Sequence, residues 1–220
     1  MNEPKLSVMA DGLEKAYAFL RELHPDIRPA IFAIYLHPRN DRRGHYWKSS
    51  WNTRGENGTV AELDEMHISS HLFHGSEELP APQNVLRTML HEAAHSIAIT
   101  REIQDTSRNG RYHGNKFKKL AEEMGLVVEK DKTIGTNGYV TTDITLEGMQ
   151  KYAQALEYIK GAVVAYQDLQ RVKLIKGKGK KRQGMLKMVC GCGRIIRASR
   201  AVAYGPVITC GDCGFDFEAV

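Results

Sequence analysis

The sequence predicts an α+β protein, with helices packed on a small sheet and a small C-terminal module organised by cysteines. Three observations predict it. Helical and strand periodicities alternate through the first 170 of the 220 residues. A Gly/Lys-rich stretch then breaks the pattern. All four cysteines fall in the last 31 residues. Apolar residues make up 42% and charged residues 26%, enough to bury a core and to exclude wholesale disorder.

Leu6–Leu23 places Leu6, Met9, Leu13, Ala16, Leu20 and Leu23 on one helical face. Pro25 and Pro29 end that helix. Ala30–Leu36 reads as a buried strand, Arg39–Gly44 as a turn, His45–Trp51 as a second strand and Asn52–Gly58 as loop. Glu65–Phe73 alternates, which predicts a third strand, one able to lie along a cleft and pair with an extended chain. Pro80, Pro82 and Asn84 precede a long helix reaching about Glu102. A second helix spans about Asn115–Met124, with Asn115 as its cap and Gly125 at its end. Leu126–Glu129 reads as a strand, Lys130–Asp143 as loop, and about 146–170 as a further helix. The domain boundaries follow: 1–170 (core about 5–130), a basic linker 171–184, and a cysteine module 185–220.

No apolar run approaches the ~18 residues a bilayer crossing needs, and Met-Asn-Glu-Pro-Lys is not a secretory start. The expectation is a soluble cytoplasmic protein without a membrane partner. The net charge of +5 is unevenly placed: Arg171–Arg200 holds eleven basic residues and no acidic one, whereas residues 1–170 net −3. Such asymmetry suggests a polyanionic partner, most often nucleic acid; a solvated linker is the plainer alternative.

His91-Glu92-Ala93-Ala94-His95 is the centre of the functional reading. Residues four apart on a helix lie about 40° apart and one turn along the axis, so two imidazoles can grip one ion. Glu92 is then displaced to reach a water on that ion without ligating it. With Leu86, Met89, Leu90, Ala93 and Ile97 forming the core stripe, the two histidines face the other way. Catalytic zinc takes three protein ligands. The other histidines compete for the third place: His24, His37 and His45 are early and dispersed, while His67, His71 and His74 could approach from the third strand. His113 is the best placed, 18 residues after His95 and directly before a helix.

Cys190-x-Cys192 and Cys210-x-x-Cys213 are separated by 17 residues, and a glycine follows each cysteine. Two glycine-rich knuckles joined by a hairpin describe a zinc ribbon, a closed structural site with four cysteine ligands. At about 35 residues such a module cannot stabilise itself through an apolar core, so the metal must. Two zinc ions per chain are expected, one catalytic and one structural.

The helical His-Glu-x-x-His, the segment Tyr112-His113-Gly114-x-x-Phe117 and the four-cysteine module together resemble the SprT-like zinc metalloproteases, the Spartan-type family. The resemblance covers roughly residues 5–130 and 185–220. It implies a zincin-like domain, His113 as third ligand, and a zinc-dependent endopeptidase acting on DNA-bound or DNA-crosslinked proteins, with Glu92 activating water and a role in DNA repair. A nucleoid-associated or nuclear location would follow. The Cys-x-Cys spacing and the 146–170 helix depart from the family pattern. Lys178, Lys180, Lys181, Arg182, Lys187, Arg194, Arg197 and Arg200 are the candidate phosphate contacts. The alternatives are a zinc peptidase with no DNA role, and a nucleic-acid-binding zinc protein whose metalloprotease half is a non-catalytic scaffold.

Overall fold

Helix α1 (Leu6–Leu23) forms where the apolar spacing predicts it and buries Met9, Leu13, Ala16, Tyr17 and Leu20. It crosses α5 (Ala153–Ala162) so closely that a Cβ on Gly12 would lie 2.6 Å from the Ala162 Cβ. Strands β1 (Ala30–Tyr35), β2 (Gly44–Arg54) and β3 (Val60–Ser69) make a mixed sheet in the order β1-β3-β2. β3 runs parallel to β1 and antiparallel to β2. This computed structural model describes residues 5–36, 42–54, 58, 60–77, 79–132, 138–168 and 184–220.

The sheet corrects several expectations. Asn52–Arg54, read as loop, extends β2 because it pairs with Val60–Glu62. The third strand stops at Ser69, and Ser70–His74 is a 3₁₀ turn, so His71 and Phe73 leave the strand. β3 is the middle strand and has no free edge; alternation identifies a strand but not its place in a sheet. The edge strands are β1 and β2, and of these β2 lines the cleft that holds Glu92.

Helix α2 (Ala81–Thr100) carries Pro82 in its first turn, where a missing N–H costs nothing. Fourteen of its 20 residues are buried, so it runs through the core rather than over it. Leu86, Met89, Leu90, Ala93 and Ile97 meet Met66 and Ile68 of β3 together with Phe117 and Leu120 in one cluster. A short hairpin of β4 (Thr106–Ser107) and β5 (Tyr112–His113) follows, closed by Arg108, Asn109 and Gly110, all at positive φ. In α3 (Asn115–Glu123), Gly114 takes the cap position and no side chain caps it; Asn115 is the first helical residue, which corrects the expected cap. Gly125, at φ 71°, ends the turn after it.

β6 (Leu126–Lys130) pairs antiparallel with β7 (Tyr139–Ile144), a strand inside the segment read as loop. Its Tyr-Val-Thr-Thr run has strand propensity, but the partner strand is what realises it. The expected 146–170 helix is two helices, α4 (Leu146–Lys151) and α5, with a break at Tyr152. The Tyr152 hydroxyl lies 2.8 Å from His24 Nε2. Helix ends at Ala162, where two β-branched residues follow, and Gln167 is held by Ser70 instead.

By contact the chain divides into two compact units, Met1–Leu169 and Gln170–Val220. In the second, β8 (Leu186–Val189), β9 (Ile195–Ala198) and β10 (Glu218–Ala219) form an antiparallel sheet in the order β10-β8-β9. A short helix, α6 (Arg200–Ala203), is capped by the Ser199 hydroxyl. Among the described residues, no helix is long and apolar enough to cross a membrane.

Candidate metal centres

Three histidines converge in the first unit. His91, His95 and His113 each present a ring nitrogen, and the three nitrogens lie within 4.8 Å of one another. Helix α2 supplies the first two at the i, i+4 spacing. The β4–β5 hairpin supplies the third: its left-handed turn folds the chain back so that His113 pairs with Thr106, directly after Asp105. Gly138 backs His113 from behind; a Cβ there would collide with the His113 carbonyl oxygen, and its φ of 75° favours glycine besides. The fully buried Phe117 ring sits 4.7, 4.8 and 4.2 Å from the three imidazoles and forms the floor of the cluster.

The outer nitrogens are tied down. His95 Nδ1 is 2.5 Å from an Asp105 carboxylate oxygen, and His91 Nδ1 is 3.0 Å from the Thr141 hydroxyl. Those bonds leave each Nε2 as the nitrogen available to an ion, the arrangement in which a second partner fixes ring orientation and tautomer. His113 is half-buried beside the backbone of Gly138 and Tyr139. Burial and the neighbouring imidazoles push His91 well below its ordinary range, and burial with His95 lowers His113 to about 4. Both rings are therefore neutral at pH 7, as ligation needs. Burial would lower His95 too, but the hydrogen bond to Asp105 and the charge of Glu92 raise it overall.

Glu92 is 4% exposed and lines a cleft of about 650 Å³ together with all three histidines and Gly44–Trp47 of β2. Burial lifts its carboxyl to about 7. β2 approaches closely: a Cβ on Gly44 would meet Glu92 Oε1 at 2.7 Å and the His67 carbonyl oxygen at 2.8 Å. The donor set, three imidazoles with one wall open to a cleft, fits an ion that keeps a position for another ligand.

The other histidines do not join. His67 is fully buried, with Nε2 2.9 Å from the Tyr35 carbonyl oxygen, and His45 pairs with Glu65 at 2.8 Å. His71 and His74 sit on the 3₁₀ turn, where Ser69 and the Gly75 carbonyl engage them; His24 contacts Tyr152; His37 lies outside the described residues. Sequence reading missed Asp105 and Thr141. A histidine ligand needs such a partner, but many Asp and Thr residues compete, and the β7 pairing that places Thr141 is non-local.

The second cluster is Cys190, Cys192, Cys210 and Cys213, whose sulfurs also lie within 4.8 Å of one another. Each pair sits in a knuckle closed by a glycine amide: Gly193 N–H donates to the Cys190 carbonyl and Gly214 N–H to that of Cys210, at φ 84° and 70°. N–H groups of Asp212 and Cys213 hold the Cys210 thiol down to about 6, whereas hydrogen bonding with Cys190 raises Cys192 to about 12. The Sγ atoms of Cys190 and Cys192 are 2.9 Å apart, so the short Cys-x-Cys spacing still brings both sulfurs to one point. Four sulfurs enclosing one point fit a closed tetrahedral site.

Of the candidate phosphate contacts, Lys187, Arg194, Arg197 and Arg200 are exposed, and Arg194 pairs with Asp212. Lys178, Lys180, Lys181 and Arg182 lie outside the described residues. No family model matches the chain, and neither a curated protein nor a solved structure does.

Proposed function

We propose that the first unit is a zinc-dependent endopeptidase and that the second holds a structural zinc and engages DNA, directing cleavage to DNA-bound or crosslinked proteins. The observation that carries the reading is the convergence of three imidazoles with the buried Glu92 on one cleft wall. Zinc, when bound, supplies Lewis acidity that activates water and polarises a peptide carbonyl. Glu92 accepts the proton of the attacking water and passes it to the leaving amine nitrogen. Asp105 and Thr141 keep the rings of His95 and His91 from swinging. The free edge of β2, with Gly44–Trp47 on the cleft, suits an extended substrate segment added as a strand. The motif helix against a small mixed sheet fits the zincin-type arrangement that the resemblance implies.

The DNA role is supported by charge placement. Lys187 stands directly opposite Arg197 in the β8–β9 ladder, and neither forms an ion pair among the described residues. Facing like charges destabilise a ladder unless an anion lies between them. The test measures metal content and proteolysis together. The parent should hold two zinc ions and His113→Ala one, with cleavage of a DNA-bound protein lost in the variant. A parent without bound zinc at the histidines overturns the peptidase reading. Cleavage of free casein that DNA does not stimulate overturns the DNA part alone.

A further inference from the structure

A second cavity, of about 250 Å³, shares Gly44, His91, Glu92, Arg111 and His113 with the main cleft but extends the other way along α2. The main cleft runs toward His95 and Ile99; this cavity runs toward Arg87 and Thr88. Arg43, Arg87 and Arg111 line it.

Arg87 is only 6% exposed. Its Nη1 donates to the Thr142 carbonyl at 2.5 Å and its Nη2 to Asn84 Oδ1 at 3.2 Å. Arg43 Nη2 donates to the same Asn84 oxygen. Two guanidinium groups therefore converge on one neutral acceptor. None of the three arginines forms an ion pair among the described residues. The nearby Asp143 spends one carboxylate oxygen on Gln83 and the Ile144 amide. Burial and the charge of Arg43 lower Arg87 to about 10 against an opposing pull from Asp143, which leaves it charged at neutral pH. Neutral amide and carbonyl oxygens satisfy hydrogen bonds without cancelling charge, and three arginines face one lining carboxyl, Glu92, so the cavity keeps an excess of positive charge that an incoming anion would offset.

We propose that the Arg43–Arg87 cavity receives a carboxylate of the peptide substrate, either an acidic side chain beside the scissile bond or a C-terminal carboxylate. The inference rests on the peptidase reading and names the substrate class for it. The recessed position of Arg87 favours a single side chain or chain end over a duplex backbone. A shared wall with Glu92 places the captured group within a residue or so of the bond being cut. A guanidinium pair offers the planar donors that a carboxylate matches.

The test uses the full-length, zinc-loaded Glu92→Gln protein, so that binding is read without cleavage. Fluorescence polarisation compares a neutral, C-terminally amidated peptide with versions carrying one Glu at successive positions, and with the neutral peptide bearing a free C-terminus. One carboxylate-bearing class should bind at least about tenfold tighter than the neutral parent, and the tighter class identifies the source. Arg87→Gln should remove the difference. Arg43→Glu, at a more exposed site, should turn the preference toward a Lys-containing peptide. Equal binding of acidic and neutral peptides, a preference that survives both substitutions, or no peptide binding at all overturns the proposal. So does Arg87-dependent capture of an oligonucleotide in place of the acidic peptide. Because Glu92→Gln does not cleave, failure of the peptidase reading shows separately, as a parent protein that binds these peptides and leaves them intact.

Discussion

The two ligand clusters are built by opposite means. The histidines rest on a folded core: α2 passes through it, Phe117 floors the cluster, and Asp105, Gly138 and Thr141 brace it. The cysteines rest on two glycine turns and a three-stranded sheet whose buried side chains are Met188, Ala198, Cys190 and Cys210. One cluster is framed by a large apolar core, and the other has few buried side chains around it beyond its own cysteines. A preformed site can leave a coordination position open for substrate, whereas a site that folds its own module must close around the metal.

The largest expected effect probes the weaker frame. Stripping metal from the full chain with a strong chelator should unfold the second unit, since structural zinc contributes on the order of 10 kcal/mol or more to such modules. NMR dispersion from Leu186–Ala198 should collapse while signals from the first unit persist. Loss of both units together would break the comparison. Next comes chemistry: Glu92→Gln should lower proteolysis about 10²- to 10⁴-fold with both zinc ions retained by elemental analysis. A smaller effect is expected from Gly44→Ala. The added methyl would crowd Glu92 Oε1 at 2.7 Å, costing about 1–3 kcal/mol in stability or catalysis with metal content unchanged. Thermal melts and kcat/KM separate the two.

The smallest effect tests whether the first unit has supports far from the metal. Arg101 joins Asp26 after α1 to Glu123 at the end of α3. The guanidinium holds Glu123 below the usual carboxylate range. That contribution is complete above the unfolded carboxylate pKa of about 4.3 and is lost as pH falls through the lower folded value. Arg101→Gln should therefore cost under about 1 kcal/mol at pH 7, and parent and variant should converge on acidification.

α1 was legible to the residue because six apolar positions fall on one face with nothing competing. His91, Glu92 and His95 were legible because a helix converts spacing directly into geometry. β7 was not legible: its pairing with β6 comes from residues read as loop, and with it went Thr141, Thr142 and the wall of the arginine cavity. The long last helix was over-read because periodicity continued past Tyr152, where the His24 contact accompanies a break.

Local patterning was enough to announce an α+β chain, a helix bearing paired imidazoles, and four cysteines in two turns. Three-dimensional packing settled that β3 lies in the middle of the sheet, that Asp105 orients His95, that His113 rather than His67 completes the triad, and that Arg43 and Arg87 share one acceptor. The division has a physical cause. Helices and tight turns are closed by bonds between near neighbours, so spacing encodes them. Strand order, ligand support and charge convergence are closed by contacts between distant residues, whose positions exist only once the chain has packed.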